Sequence, residues 1–178
     1  MASRRTVIGA SGSMLFGSVL SGCLSDSDTL LAELLQVKGI SVRWKHENRT
    51  YSDQILQLHS DDEGEVTGQV ATEYDQMVSS PTDVTVSKEM QEMLESEFND
   101  VRYVIGVCGD DIGDGEYGCR NAPTPREDFN SVQFGDRADV KIDNNLIDVK
   151  DVESGDVEDW NTDISEFEWS ERNAEHGQ

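Results

Sequence analysis

Ile40-Ser41-Val42-Arg43-Trp44 decides the fold class. Three apolar side chains alternate with two polar ones, the two-residue period of a strand with one face buried and one in water. The same period recurs outward from it. Tyr51 to His59 forms a run around Ile55, Leu56 and Leu58, and Val66, Gly68, Val70, Thr72 and Tyr74 form another. Asp61-Asp62-Glu63-Gly64 separates them as a turn. Val84 and Val86 read as a short strand, and Tyr103, Ile105 and Val107 as one made apolar enough by Val104 to be central. Val132 and Phe134, then Val140 and Ile142, then Leu146, Ile147 and Val149 read as further short strands, with turns at Gly135-Asp136 and Asn144-Asn145. One segment has the helical period instead. Ser87 as N-cap, with Met90, Met93, Leu94 and Phe98 on one face, predicts a helix over about 88–100. Leu30, Leu31, Leu34 and Leu35 fit either a helix or a strand, and so do Trp160, Ile164 and Phe167 with Trp169. Many short strands with one helix predict a mainly β fold, an antiparallel β-sandwich or open barrel.

Ahead of this domain, Ser3-Arg4-Arg5-Thr6-Val7-Ile8 places an arginine pair before a weakly apolar run. Leu20-Ser21-Gly22-Cys23 closes that run with small residues directly before a cysteine. The run from Thr6 to Leu20 is 15 residues and contains several Gly and Ser, whereas a spanning helix needs roughly 20 mostly apolar residues. The order of features resembles a twin-arginine export signal followed by a lipobox. The resemblance implies export through Arg4 and Arg5, cleavage before Cys23, and acylation of Cys23 as a membrane anchor. It divides the chain into a signal peptide over residues 1–22, a tether over 23–28, a single β-rich domain over 29–169, and a loose acidic tail over 170–178.

The charge is lopsided: 14 Lys and Arg face 37 Asp and Glu, a net −23. Without Arg4 and Arg5, 12 cations face the same 37 acids, a net −25. Such a charge strains a compact state by self-repulsion. At molar salt the Debye length falls to about 3 Å and the repulsion is screened. Few lysines, an acid-rich surface and the export signal together resemble secreted lipoproteins of halophilic archaea. The resemblance implies a high-salt, extracellular setting on the outer face of the cell membrane. The acid excess argues against nucleic acid as a partner, and against an anionic membrane surface.

Cys108 and Cys119 are the cysteines left beside Cys23. In an oxidising location an isolated pair reads as a disulfide. Their spacing is not that of a redox pair, and no nearby His completes a zinc site. The loop between them carries Asp110, Asp111, Asp114 and Glu116, oxygen ligands of the kind calcium takes. An EF-hand register from Asp110 fails at Ile112 and Asn121, and four carboxylates in one loop also arise from composition in so acidic a chain. Calcium at that loop is the one cofactor considered; otherwise none is expected. Asn48-Arg49-Thr50 is an N-glycosylation sequon in an expected turn. His46, His59 and His176 lie in or beside strands or in the tail and form no nucleophile arrangement with Ser or Cys. The expected function is a non-catalytic, lipid-anchored surface protein, a binding or envelope-associated module with an unidentified protein or envelope partner. The alternatives are an extracytoplasmic hydrolase whose acid pair is not evident, and an accessory subunit of a membrane transporter.

Overall fold

The alternating runs become strands. The computed structural model describes residues 29–80, 82–113, 116–157 and 160–177. Arg4, Arg5, Cys23 and Asp114 lie outside the described residues. In chain order the strands are β1 (Leu30–Ala32), β2 (Leu34–His46), β3 (Arg49–Ser60), β4 (Glu65–Ala71), β5 (Val78–Ser80), β6 (Asp83–Val84), β7 (Asp100–Gly113), β8 (Glu116–Thr124), β9 (Arg137–Asp143), β10 (Leu146–Glu153) and β11 (Asn161–Phe167). The helices are α1 (Lys88–Glu97), α2 (Arg126–Ser131) and α3 (Trp169–Asn173).

The molecule is mostly β, with its sheets in a sandwich-like arrangement. One sheet has six strands in the order β11-β4-β3-β2-β7-β8, and the other has three in the order β1-β9-β10. The chain changes sheets at Glu33. Leu30–Ala32 pairs with β9, and from Leu34 the same run pairs with β7. The ambiguous leucines are therefore strand. Ile40, Val42 and Trp44 face a shared core with Ile55, Leu56, Leu58, Ile105 and Val107, all buried. A bulge at Gln36 resets the register of β2 against β7, and one at Ile55 resets that of β3 against β2. Two hairpins turn on residue pairs with left-handed backbone, Glu47-Asn48 and Asn144-Asn145. Two-residue loops of this kind match the right-handed twist of the flanking strands.

The fold departs from the expectation at six places. β11 runs parallel to β4, so the six-stranded sheet is not wholly antiparallel. There are three α-helices among the described residues, and α1 ends at Glu97, where Phe98 turns extended. The run through Tyr74 stops at Ala71, and residues 72–77 form a 3₁₀ turn that still buries Tyr74 and Met77. Val84 is in a two-residue strand, but Val86 is not, because it feeds the cap of α1. Val132 and Phe134 are not a strand; they enter the core from the irregular segment after α2. Finally, residues 170–176 are helical and docked, not loose.

That docking has a definite cause. Trp169 packs edge-on against Trp44 at 5.4 Å and Phe98 at 5.6 Å between ring centroids. The Trp44 indole N–H donates to the carbonyl of His176 at 2.9 Å, and the His176 ring stacks on Tyr51 at 4.4 Å. No side chain of its own caps α3. Instead the Glu73 carboxylate accepts the backbone N–H groups of Trp169 at 3.0 Å and Ser170 at 3.1 Å. Burial opposes ionisation of Glu73, but these N–H bonds outweigh it and hold the carboxyl below its ordinary 4.5. A depressed carboxylate stabilises the fold above its unfolded pKa and loses that contribution as pH falls through the folded one. Glu73→Gln should therefore cost about 0.5–1 kcal/mol at neutral pH, the scale of an exposed cap. Thermal unfolding of the two chains should converge as the pH is lowered below 4.5.

Candidate functional site

β7 and β8 form the hairpin that holds the two cysteines. Cys108 and Cys119 stand directly opposite in register and are disulfide-bonded, with Cα atoms 4.0 Å apart. Asp110 and Asp111 lie in β7, and Glu116 opens β8. Among the described residues no three His, Cys, Asp or Glu side chains come together as a cation site. Asn48 sits exposed at the tip of the β2–β3 hairpin with φ of 63°. The histidines are dispersed: His59 contacts Gln57 at 3.2 Å, His176 lies on Tyr51, and the His46 ring lies against Gly177. A groove of about 280 Å³ beside α1 is lined by Gln76, Met77, Thr85, Ser87, Met90 and Met93.

Lys38 is fully buried. It follows the same alternation as Ile40, Val42 and Trp44, so β2 points it into the core. Its Nζ donates to the carbonyls of Val84 at 2.8 Å, Phe129 at 2.7 Å and Val132 at 2.8 Å, and to Gln133 Oε1 at 3.0 Å. It also lies 4.3 Å over the Phe129 ring. Desolvation lowers its pKa from 10.5 to about 7, while the more distant Asp136 and Asp83 act in the opposite direction. Side-chain amides complete the seal. Asn130 bonds both backbone groups of Val86, and Gln133 accepts the Val84 N–H at 2.9 Å. Every proton of the ammonium is spent on structure, and none is directed at a cavity.

The outer face of the six-stranded sheet has a different chemistry. Ser41 and Arg43 on β2, Ser52 on β3, and Asp100 and Arg102 on β7 line an open concavity of about 230 Å³ with Val104 and Pro123. Register puts them side by side: Ser41 opposes Arg102, and Arg43 opposes both Asp100 and Ser52. Lys45, two residues beyond Arg43, opposes Thr50 on the same face. Asp100 is shared. Arg102 Nε donates to its Oδ2 at 2.9 Å, and Arg43 stands 3.8 Å from the same oxygen. Arg43 makes no hydrogen bond from its guanidinium among the described residues, and Arg102 makes one. Two half-exposed guanidinium forks flanked by serine hydroxyls thus have unused donors in a chain of net −23. That donor set matches a carboxylate or a similar planar oxyanion.

No protein-family model matches this chain, and neither a curated protein nor a solved structure matches it. The site is therefore defined by its own residues. Sequence reading missed both Lys38 and the arginine pair. The signal for Lys38 was its phase, since it falls on the apolar face of the strand. The arginines gave no local signal, because their partnership depends on strand pairing across some 60 residues of chain, from Arg43 to Arg102.

Lys38→Met should destabilise the chain by on the order of 3 kcal/mol, because buried carbonyls lose their donor. The sign with pH follows from proton binding. Between pH 7 and 10 the unfolded chain keeps the Lys38 proton that the folded chain releases, so this residue makes stability rise with pH. Denaturant melts should show that increment in the parent and not in Lys38→Met.

Proposed function

We propose that this chain is a lipid-anchored, outward-facing binding module that works at high salt and holds carboxylate-bearing ligand groups on its outer sheet face. The observation that carries the recognition part is the Arg43–Arg102 concavity. The chain has few cations, and three of them, Arg43, Lys45 and Arg102, share one face with a single acid, Asp100, among the paired positions of β2, β3 and β7. Local charge complementarity of this kind supplies specificity even where the net charge of the molecule opposes it. Bidentate geometry keeps part of the interaction at salt concentrations that screen point charges. The anchor part is supported by the Arg4-Arg5 signal and by the residues before Cys23. The cross-strand disulfide suits an oxidising location. No helix among the described residues is long and apolar enough to cross a membrane. The one carboxylate of the concavity, Asp100, is held between the two arginines, and no histidine lines it beside the Ser41 and Ser52 hydroxyls, so the proposal is recognition without catalysis.

Immobilised poly-L-glutamate at molar NaCl is the probe. The parent chain should bind it, and Arg43→Gln/Arg102→Gln should bind on the order of tenfold more weakly, equivalent to about 1.4 kcal/mol. Arg137→Gln, away from this face, should bind like the parent. Equal binding by all three would reject the site. For the anchor, Cys23→Ala should move the protein from the membrane to the soluble fraction, and Lys in place of both Arg4 and Arg5 should block export. Unchanged fractionation of both variants would reject that part.

A further inference from the structure

We infer that the groove beside α1 binds a soft monovalent cation, Cu(I), through the thioethers of Met77, Met90 and Met93. The inference is independent of the carboxylate reading and uses other residues. The described residues contain three methionines, and all three line this one groove of about 280 Å³. They reach it from two elements. Met77 ends the 3₁₀ turn, and its carbonyl accepts the Thr85 N–H at 2.9 Å, which fixes it beside the segment that leads into α1. Met90 and Met93 stand three residues apart in α1, a spacing that makes them neighbours on the helix surface. The Ser87 hydroxyl accepts the Met90 N–H at 3.1 Å, and this cap sets where the first turn of the helix lies.

Packing alone does not account for this cluster. Leu94, next to Met93, is fully buried, and the rest of the core is built from branched aliphatic residues, aromatics and alanine. Met77 and Met90 are buried, whereas Met93 is exposed at 39%, so one thioether side chain stands at the rim and two stand deeper. A thioether sulfur is uncharged and polarisable. It suits a soft cation such as Cu(I), whereas calcium and magnesium take oxygen. Gln76, Thr85, Ser87 and Glu89 make the rest of the lining polar, which disfavours a purely apolar ligand. Glu89 is the one carboxylate among the lining residues and brings a negative charge to a univalent ion. No histidine lines the groove, so the nitrogen ligands that suit zinc and Cu(II) are lacking there.

The test uses the full chain carrying Cys23→Ala. Cys108 and Cys119 are paired, so this change removes the one free thiol, which would itself take Cu(I). Cu(I) is supplied without oxygen from its bicinchoninate complex, in molar sodium nitrate because chloride complexes copper. The chain should withdraw Cu(I) from the chelator. Cu(I) is diamagnetic, so carbon-13 NMR of the methionine methyl groups reads each ligand directly. The Met77, Met90 and Met93 resonances should move on loading, and those of Met1 and Met14 should stay. Zinc should leave all of them in place. Met90→Leu and Met93→Leu keep the side-chain volume and the fold. Each should weaken Cu(I) binding by on the order of tenfold. Met93→Leu, at the rim, keeps the test independent of any effect on packing. No transfer from the chelator, methyl shifts at Met1 and Met14 instead of the other three, or parent-like affinity in Met93→Leu would overturn the inference.

Discussion

A primary ammonium sealed inside a β-sandwich has to be met by acceptors on every side, and Lys38 imposes that requirement on the rest of the chain. Taking such a charge out of water costs several kcal/mol even after relaxation. The acceptors come from three places far apart in sequence: Val84 in β6, Phe129 in α2, and Val132 and Gln133 in the segment after it. The segment bearing β6 and the α2 segment are therefore tied to the middle of β2. α1 follows Val86, whose backbone is held by Asn130, so the same network sets where that helix starts. The carbonyls at the end of α2 are the negative end of a helix, where a cation is favoured. An apolar residue at this position would pack against the sheet but would leave the carbonyls without a donor.

The two faces of the six-stranded sheet divide the labour. The inner face carries the core and the buried cation. The outer face carries Arg43 and Arg102, whose guanidinium groups share Asp100. The acid excess elsewhere gives this small cationic region its contrast, since most of the surface repels the groups that the arginines attract. Salt matters twice. Screening relieves the repulsion among 37 acids, and it also suppresses long-range attraction, so recognition has to rely on short, directional hydrogen bonds. A paired-guanidinium site meets that condition better than a lysine cluster would.

Much of the architecture is legible locally. The period of Ile40, Val42 and Trp44, the turn at Asp61 to Gly64 and the cap at Ser87 all specify what forms there. Other elements are set by distant partners. β8 has few apolar residues between Glu116 and Thr124 and is held in the sheet by the ladder to β7 and by the disulfide. Val132 and Phe134 are buried as a strand's residues would be, but they reach the core from an irregular segment. The final helix depends on Glu73, whose carboxylate bonds Trp169 across 96 residues of chain. Nothing local at Ser170 announces it. The candidate site divides the same way. The disulfide follows from an isolated cysteine pair, and the buried lysine can be read from its phase. The arginine concavity exists only once β2 and β7 have paired.

The central claim is that Lys38 is a buried cation whose protons are all committed to the fold. Nitrogen-15 NMR of the lysine side chains, followed from pH 5 to pH 11, tests it most directly. The buried Lys38 should give one Nζ resonance that titrates near 7, with slowly exchanging protons. A Lys38 resonance that titrates at its ordinary 10.5, with fast-exchanging protons, would contradict it.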